Sequence, residues 1–306
     1  MNGQPDVDWA EQAAYLADAA RTDADWYRSV AGRLVRATDR LLVDVGCGGG
    51  GMAVALALAA PSARVVAVDD EPAVLDVAAG LFAEVGVDVR TVAADAAGDP
   101  GALAAAVGGP ADLVWASAVV HHAPDQQATV DALAGLLAPR GRLALAEGGL
   151  PRRHLPWDLG IGRPGLESRL EQAQDRWFAT MRDGMPGAVR LPYGWPNALR
   201  NAGLAGVTTW TSMIERPPPL DPAGCERVAE RIAHRVEWLR EREMLPTEDE
   251  GAWSRLLDRN GPDWLGRRDD VFVLDARSVH VGDAPYPGSE PVSSLSVGNS
   301  GKRHHS

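Results

Sequence analysis

The chain reads as an α/β protein built on a doubly wound, mostly parallel sheet. Three observations carry that expectation. First, five short apolar runs between residues 41 and 147 alternate with stretches of helical composition. Strands that alternate with helices form a parallel sheet through right-handed crossovers. Second, the runs are apolar almost throughout, as strands are when helices cover both faces of a sheet. Third, Leu41-Leu42-Val43-Asp44-Val45 passes directly into Gly46-Cys47-Gly48-Gly49-Gly50-Gly51 and an alanine-rich stretch that stops before Pro61. A strand, a glycine turn and a helix start in that order bring backbone close to a ligand and point free N–H groups at it.

The elements follow in order. Residues 9–37 predict two helices, since Trp9, Ala13 and Leu16, and then Trp26, Val30 and Leu34, recur at helical spacing. Strands are expected at 41–45, 64–68, 89–94, 112–117 and 142–147, with helices at 49–60, 72–84, 100–107 and 126–138. Beyond 148 the texture changes. Residues 149–164 read as a loop rich in Gly, Pro and Arg, and Leu166, Leu170, Ala173, Trp177 and Met181 mark an amphipathic helix. A short helix is expected over Asn197–Ala202 and a strand over 207–214. Pro217-Pro218-Pro219 is a stiff connector. Asp221-Pro222 suits an N-cap and first turn for a helix reaching about Met244, with Cys225, Val228, Ile232, Val236 and Leu239 as its stripe. A further helix near 248–258 and a strand over 271–281 complete a seven-stranded sheet. Four regions result: a helical lid (1–39), a ligand-binding core (40–148), substrate-side helices with the last two strands (149–282), and a Gly/Ser/Pro-rich tail (283–306) expected to be disordered.

Composition narrows the function. The 306 residues carry a net charge of −12 with no basic cluster, which disfavours a nucleic-acid-binding face. No apolar run reaches 18 residues, and the N-terminus MNGQPDVDWAEQ lacks the basic-then-apolar pattern of a leader, so a cytoplasmic protein is expected. Cys47 and Cys225 are the only cysteines, too few for a disulfide framework or a zinc cluster, and no metal site is expected. Lys302 is the only lysine, which removes Schiff-base chemistry from the folded part. Monomer and homodimer both remain open.

Two ligands compete for the glycine loop, a dinucleotide and S-adenosylmethionine. Gly46-x-Gly48-x-x-Gly51 fits the dinucleotide spacing. Three acids favour the sulfonium compound. Asp44 lies in the strand before the loop. Asp69 closes the second strand, where a carboxylate can accept from both ribose hydroxyls. Asp95 closes the third, where a side-chain acceptor meets an adenine amino group. All three fall at the carboxyl edge of the sheet, where ligands of open α/β sheets bind.

These motifs resemble class I S-adenosylmethionine-dependent methyltransferases. VDVGCGGG is similar to their first motif, VVAVDDEPAVLDVA to their second and TVAADA to their third; DLVWASAVVHHAPD with QQATVDALAGLLAPRGRLALAE resembles their fourth and fifth strands. The likeness covers roughly residues 40–148, and RRDDVFVLDARSVHVG extends it more weakly toward bacterial small-molecule methyltransferases of secondary metabolism. It implies a Rossmann-like fold with a helical lid. It also implies residue roles. Gly46, Gly48 and Gly50, with Cys47 as a small filler among them, approach the methionine part of the cofactor. Asp44 orients its ammonium group. Asp69 binds the ribose, with Asp70 beside it where an apolar residue is common. Asp95 and the backbone of Ala96 read the adenine, and Ser117 lies near the methionyl end.

Methyl transfer from a sulfonium is an in-line displacement, so positioning can supply much of the rate. A base is needed only when the acceptor must lose a proton. His121 and His122 follow the fourth strand and His154 lies in the loop beyond the fifth, which makes them the candidate bases; the first two equally suit packing over the cofactor. His234 reads as solvated and His280 as a strand residue. Tyr15, Trp157, Trp177, Tyr193 and Trp195 are candidate walls of an acceptor pocket, because nine of the ten tryptophans lie outside 40–148. An aromatic or amine-bearing natural product is the expected acceptor, with O-methylation ahead of N- or C-methylation. An NAD-dependent oxidoreductase and a non-catalytic ligand-binding protein on the same fold remain alternatives.

Overall fold

A computed structural model describes residues 9–286. Two helices, α1 (Trp9–Thr22) and α2 (Ala24–Leu34), precede the first strand. Then β1 (Leu41–Val45), α3 (Gly51–Ala59), β2 (Arg64–Asp69), α4 (Pro72–Val85), β3 (Val89–Ala93), α5 (Pro100–Val107), β4 (Ala111–Ser117), α6 (Gln126–Gly135) and β5 (Leu137–Arg153) alternate. The acid-proline pairs start helices as their chemistry dictates: Glu71 and Asp99 each accept a backbone N–H of the first turn, and Pro72 and Pro100 occupy positions whose N–H has no intrahelical partner. Asp221-Pro222 opens α9 (Pro222–Glu241) in the same way. The remaining elements are α7 (Leu166–Gly184), α8 (Trp195–Asn201), β6 (Ala205–Arg216), α10 (Glu250–Leu257) and β7 (Val273–Asp283).

The seven strands form one sheet in the order β3-β2-β1-β4-β5-β7-β6. The first five pair in parallel, and β7 runs antiparallel to both β5 and β6. The order reverses between β1 and β4, so their carboxyl ends flank the crevice in which such sheets bind ligands. Every residue of β1 is buried, because helices cover both faces there. One face packs on α2, α3 and α4 through Trp26, Leu42, Met52, Leu56 and Phe82; the other packs on α5, α6 and α8 through Val43, Leu103, Leu133 and Leu199. A third apolar cluster joins α7, α9 and α10 through Leu170, Trp177, Ile232, Val236 and Trp253.

Most boundaries shift by one to three residues, and two of the differences have a clear long-range cause. Residues 149–153, read as loop, continue β5 to Arg153 past an irregularity between Ala146 and Gly149. The cause is a long-range partner: β7 supplies Arg277, Ala276 and Leu274 opposite Gly149, Leu150 and Arg153, and local composition carries no trace of that pairing. For the same reason α6 stops at Gly135 rather than 138, since Leu137 already pairs with Ala111. Of the tail expected to be disordered, 287–306 lies outside the described residues.

Candidate functional site

The site is built on the loop between β1 and α3. Gly46 has φ of +63°, and a Cβ there would sit 2.2 Å from a methyl of Val119. A Cβ on Gly49 would sit 2.2 Å from the carbonyl oxygen of Leu16 in α1. Glycine is therefore required at both positions, and α1 lies directly against the loop. Gly50, at φ 80°, precedes α3 without any side-chain cap.

Asp44 stands under this loop and is only 2% exposed. Its carboxylate receives the Ala53 N–H, while Oδ2 has no hydrogen-bond partner among the described residues. Burial, with Asp69 adding like charge, pushes its pKa up to about 8. Asp69, the last residue of β2, is half-buried and accepts the N–H groups of Gly48 at 3.1 Å and Glu71 at 3.3 Å. It props the loop as well as presenting a carboxylate beside it. Asp70 is exposed; partial burial and then the charge of Asp95 raise its pKa. Asp95 lies two residues past the end of β3, not at its tip, and its Oδ1 accepts the Ala97 N–H at 2.8 Å. Ala96 packs half-buried against the α5/α6 side of the core. Ser117 closes β4 and is half-buried. Cys47 is buried, its N–H donates to Val68 O, and burial first, then Asp44 and Asp69, raises the thiol pKa, so sulfur stays protonated. Asp44, the glycine turn, Asp69 and Asp70 thus share one edge, with Asp95 facing Asp70.

A second group lies beyond β4. His121 and His122 form a short 3₁₀ turn with Val120. Glu147 lies within β5, one residue past Ala146, which pairs with Ser117 at the end of β4, and is 3% exposed. Its Oε1 accepts the N–H groups of Val119 at 2.9 Å and Val120 at 2.8 Å, and its Oε2 lies 2.8 Å from His121 Nδ1. Sequence reasoning missed Glu147; the available signal was a lone acid ending the apolar run RLALAE. The His121 and His122 rings lie 4.1 Å apart between centroids, and Phe178 of α7 is 5.6 Å from His121. Burial first, then the neighbouring His121 and Arg182, holds His122 at a pKa of about 3. An imidazole that resists protonation so strongly suits packing over the cofactor, the other role the sequence left open for it, better than that of a base.

His154 also departs from expectation. It is 3% exposed, not a loop residue open to an acceptor. Its Nδ1 contacts Glu167 Oε1 at 2.9 Å, and the Glu167 carboxylate accepts the N–H groups of His154 and Leu155 as well. Burial lowers the His154 pKa despite the favourable carboxylate. The pair anchors the end of β5 to the start of α7, at the opposite end of that helix from His121. His280 is buried between Thr209 and the Glu147 carbonyl, and His234 is exposed against Gln12 and Tyr15.

The five aromatic candidates do not form one wall. Trp177 sits inside the α7/α9 cluster, edge-on to Trp238 at 4.3 Å. Trp157 is 72% exposed. Tyr193 donates to Gln127 Oε1 at 2.9 Å and packs with Trp195 on the α5/α6/α8 side of the sheet. Tyr15 lies under Arg231 of α9. Most of these rings serve helix packing, which buries large apolar area wherever elements meet. No helix among the described residues is long and apolar enough to cross a membrane.

Comparison with known proteins points the same way. Residues 43–143 match a family described as a methyltransferase domain. The trans-aconitate 2-methyltransferase of Methylobacterium radiotolerans is 31% identical over 206 residues, covering 62% of this chain and 74% of that protein. A ubiquinone biosynthesis O-methyltransferase of Xylella fastidiosa is 39% identical over 104 residues, which span 33% of this chain and 39% of its own length. A solved O-methyltransferase family protein from Burkholderia thailandensis is similar at 16% identity and a TM-score of 0.49, over 90% of this chain and 60% of that one. An N-methyltransferase of Haemonchus contortus, solved with S-adenosylhomocysteine, is similar at 15% identity and a TM-score of 0.45, over 85% of this chain and 52% of that one. Since a relative above 30% identity is matched over nearly three quarters of its length, the chain belongs to the class I S-adenosylmethionine-dependent methyltransferases, and S-adenosylmethionine is its cofactor.

Proposed function

We propose that the enzyme transfers the cofactor's methyl group to an oxygen of a small organic acceptor held near the tips of β4 and β5. The observation that carries the cofactor half is the buried, unpartnered Oδ2 of Asp44 beneath the glycine turn. A buried polar atom without a partner costs about 1–3 kcal/mol, and a ligand ammonium at that point removes the cost. In this reading Asp44 holds the ammonium, and Gly46, Cys47, Gly48 and Gly50 follow the methionine portion with their backbone. Asp69 takes the ribose hydroxyls with Asp70 beside it, Asp95 and the Ala96 backbone contact the adenine, and Ser117 borders the methionyl end. The bound cofactor supplies an electrophilic methyl group; the chain's task is to align the acceptor with it and exclude water.

The oxygen preference is supported by His121 and Glu147. A carboxylate at Nδ1 fixes the tautomer that leaves Nε2 as proton acceptor, which a hydroxyl acceptor needs and a neutral amine does not. The Xylella relative, an O-methyltransferase by name, agrees with it. The aromatic or amine-bearing natural product expected from the sequence narrows here to one with an oxygen nucleophile. The reading also takes the protein as cytoplasmic and acting on a free small molecule, for which the net charge of −12 speaks. Incubation with methyl-labelled S-adenosylmethionine and a panel of matched hydroxyl, carboxyl and amine compounds tests it. Label on oxygen acceptors is the expected outcome, and label confined to amines contradicts it.

A further inference from the structure

The turn that carries His121 and His122 is held from two sides by side chains of opposite charge. On one side, Glu147 of β5 accepts the N–H groups of Val119 and Val120. On the other, Arg182 in the last turn of α7 donates to backbone carbonyls: Nη1 to His121 at 3.4 Å and to Ala123, and Nη2 to Pro124 at 3.3 Å and to Val189 at 3.4 Å. The segment 119–124 thus presents its donors to a carboxylate and its acceptors to a guanidinium. Gln126 adds a third hold, its amide donating to the His121 carbonyl at 3.0 Å.

Arg182 is half-buried, and burial lowers its pKa. Its partners are neutral carbonyls; among the described residues no carboxylate pairs with it. A guanidinium placed this way forgoes the strongest partner it could have. What remains is geometry: a rigid planar fork with five donors gathers carbonyls of two chain segments at fixed angles, which a flexible ammonium does not. Val189 belongs to the same knot, since its N–H donates to the Pro124 carbonyl at 3.0 Å. A second side chain of α7 reaches the turn as well. Phe178 precedes Arg182 by one helical turn on the same face, and its ring lies 5.6 Å from that of His121 and 6.1 Å from that of His122. The start of α7 is fixed to the end of β5 through Glu167 and His154. The helix therefore spans from the end of β5 to the turn past β4 with both of its ends tied down.

We propose that Arg182 is a positioning residue for methyl transfer: by holding the carbonyls of His121, Ala123 and Pro124 it keeps the His121 ring against Glu147, with Nε2 left to take the acceptor's proton. The inference rests on the oxygen-methyltransferase reading in which His121 is the base, and deepens it. Arg182 acts through the backbone of the turn and takes no proton itself. Glu147 alone fixes the N–H end of the turn; without a hold on the carbonyl end, the peptide units that carry His121 are free to rotate and the Nδ1 contact at 2.8 Å is lost.

Nitrogen NMR of isotope-labelled imidazole rings tests this on the full chain with S-adenosylhomocysteine present, in alkaline buffer where the rings are neutral. It reads the tautomer of each histidine. In the native protein His121 is expected as the single Nδ1–H form that Glu147 selects. Arg182→Lys keeps the charge without the fork, and Arg182→Gln removes both. Each is expected to turn the His121 signal into a mixture dominated by the Nε2–H form that a free imidazole side chain prefers. The His154 signal, set by Glu167 at the far end of α7, is expected to stay as it was. If Arg182→Gln does not fold, Arg182→Lys carries the test alone. An unchanged His121 signal in the folded variants overturns the proposal. So does an equal change at His154, which marks a general loosening of α7 rather than a hold on one turn. A native His121 already in mixed tautomers strikes the base reading, and the proposal with it.

Discussion

Glu147 Oε2 lies 2.8 Å from His121 Nδ1 while Glu147 Oε1 accepts two backbone N–H groups of the turn that carries the histidine. One buried carboxylate thus fixes both the backbone and the ring of the candidate base. Glu147→Gln keeps the shape but lets the side-chain amide donate to Nδ1, which favours the wrong tautomer. The expected result is a lower kcat with unchanged cofactor affinity. His121→Ala should lower kcat by about 10²–10⁴-fold, the range for a lost general base. Steady-state kinetics beside S-adenosylhomocysteine calorimetry separates the two effects.

His122 behaves differently. Its pKa of about 3 in the fold lies below the ordinary 6.5, so the unfolded chain binds the proton more tightly. Stability is then complete above about 6.5 and falls as pH drops toward 3, by up to about 1.4 kcal/mol per pH unit. His122→Ala should flatten that acid limb in a series of denaturant melts, and should leave the pH dependence of catalysis above neutrality unchanged.

The glycine loop is tight against α1. A Cβ at residue 49 meets the Leu16 carbonyl oxygen, a backbone atom that cannot rotate away. Gly49→Ala should lift α1 from the loop, speed amide hydrogen exchange over α1 and weaken cofactor binding. Gly80→Ala, on the outer face of α4 with open space around it, is the control and should be neutral or slightly stabilising.

Asp69→Ala removes a carboxylate that both holds Gly48 and faces the ribose position. Cofactor binding should weaken by roughly 1.5–3 kcal/mol, the scale for hydrogen bonds to a charged group. Calorimetry with S-adenosylhomocysteine measures it directly.

The parallel core was legible from the sequence because its determinants are local. Apolar runs, Asp99-Pro100 and the glycine turn each specify their own element within a few residues. Asp44 and Asp69 stand beneath and beside that turn for the same reason. What the sequence did not disclose depends on distant partners. The extension of β5 to Arg153 needs β7, more than a hundred residues later. Glu147 becomes a partner of His121 only when β4 and β5 lie side by side. The five aromatic candidates do not gather into one wall, because a tryptophan on a helical stripe, such as Trp177, has the same sequence signature whether it faces a ligand or another helix.

Asp44 carries the central claim, and its protonation is the most direct handle on it. With a pKa of about 8 in the free protein, it is largely protonated at pH 7, and an ammonium ligand must displace that proton. Affinity for S-adenosylhomocysteine should therefore rise from pH 6 to 8, by up to about tenfold per unit, with uptake of the released proton by the buffer. Asp44→Asn should weaken binding at pH 8 and abolish the pH dependence. Calorimetry in two buffers of different ionisation enthalpy, repeated with NAD, is the deciding measurement. The account predicts proton release and a pH-dependent affinity for S-adenosylhomocysteine; binding of NAD instead, or an affinity indifferent to both pH and Asp44→Asn, contradicts it.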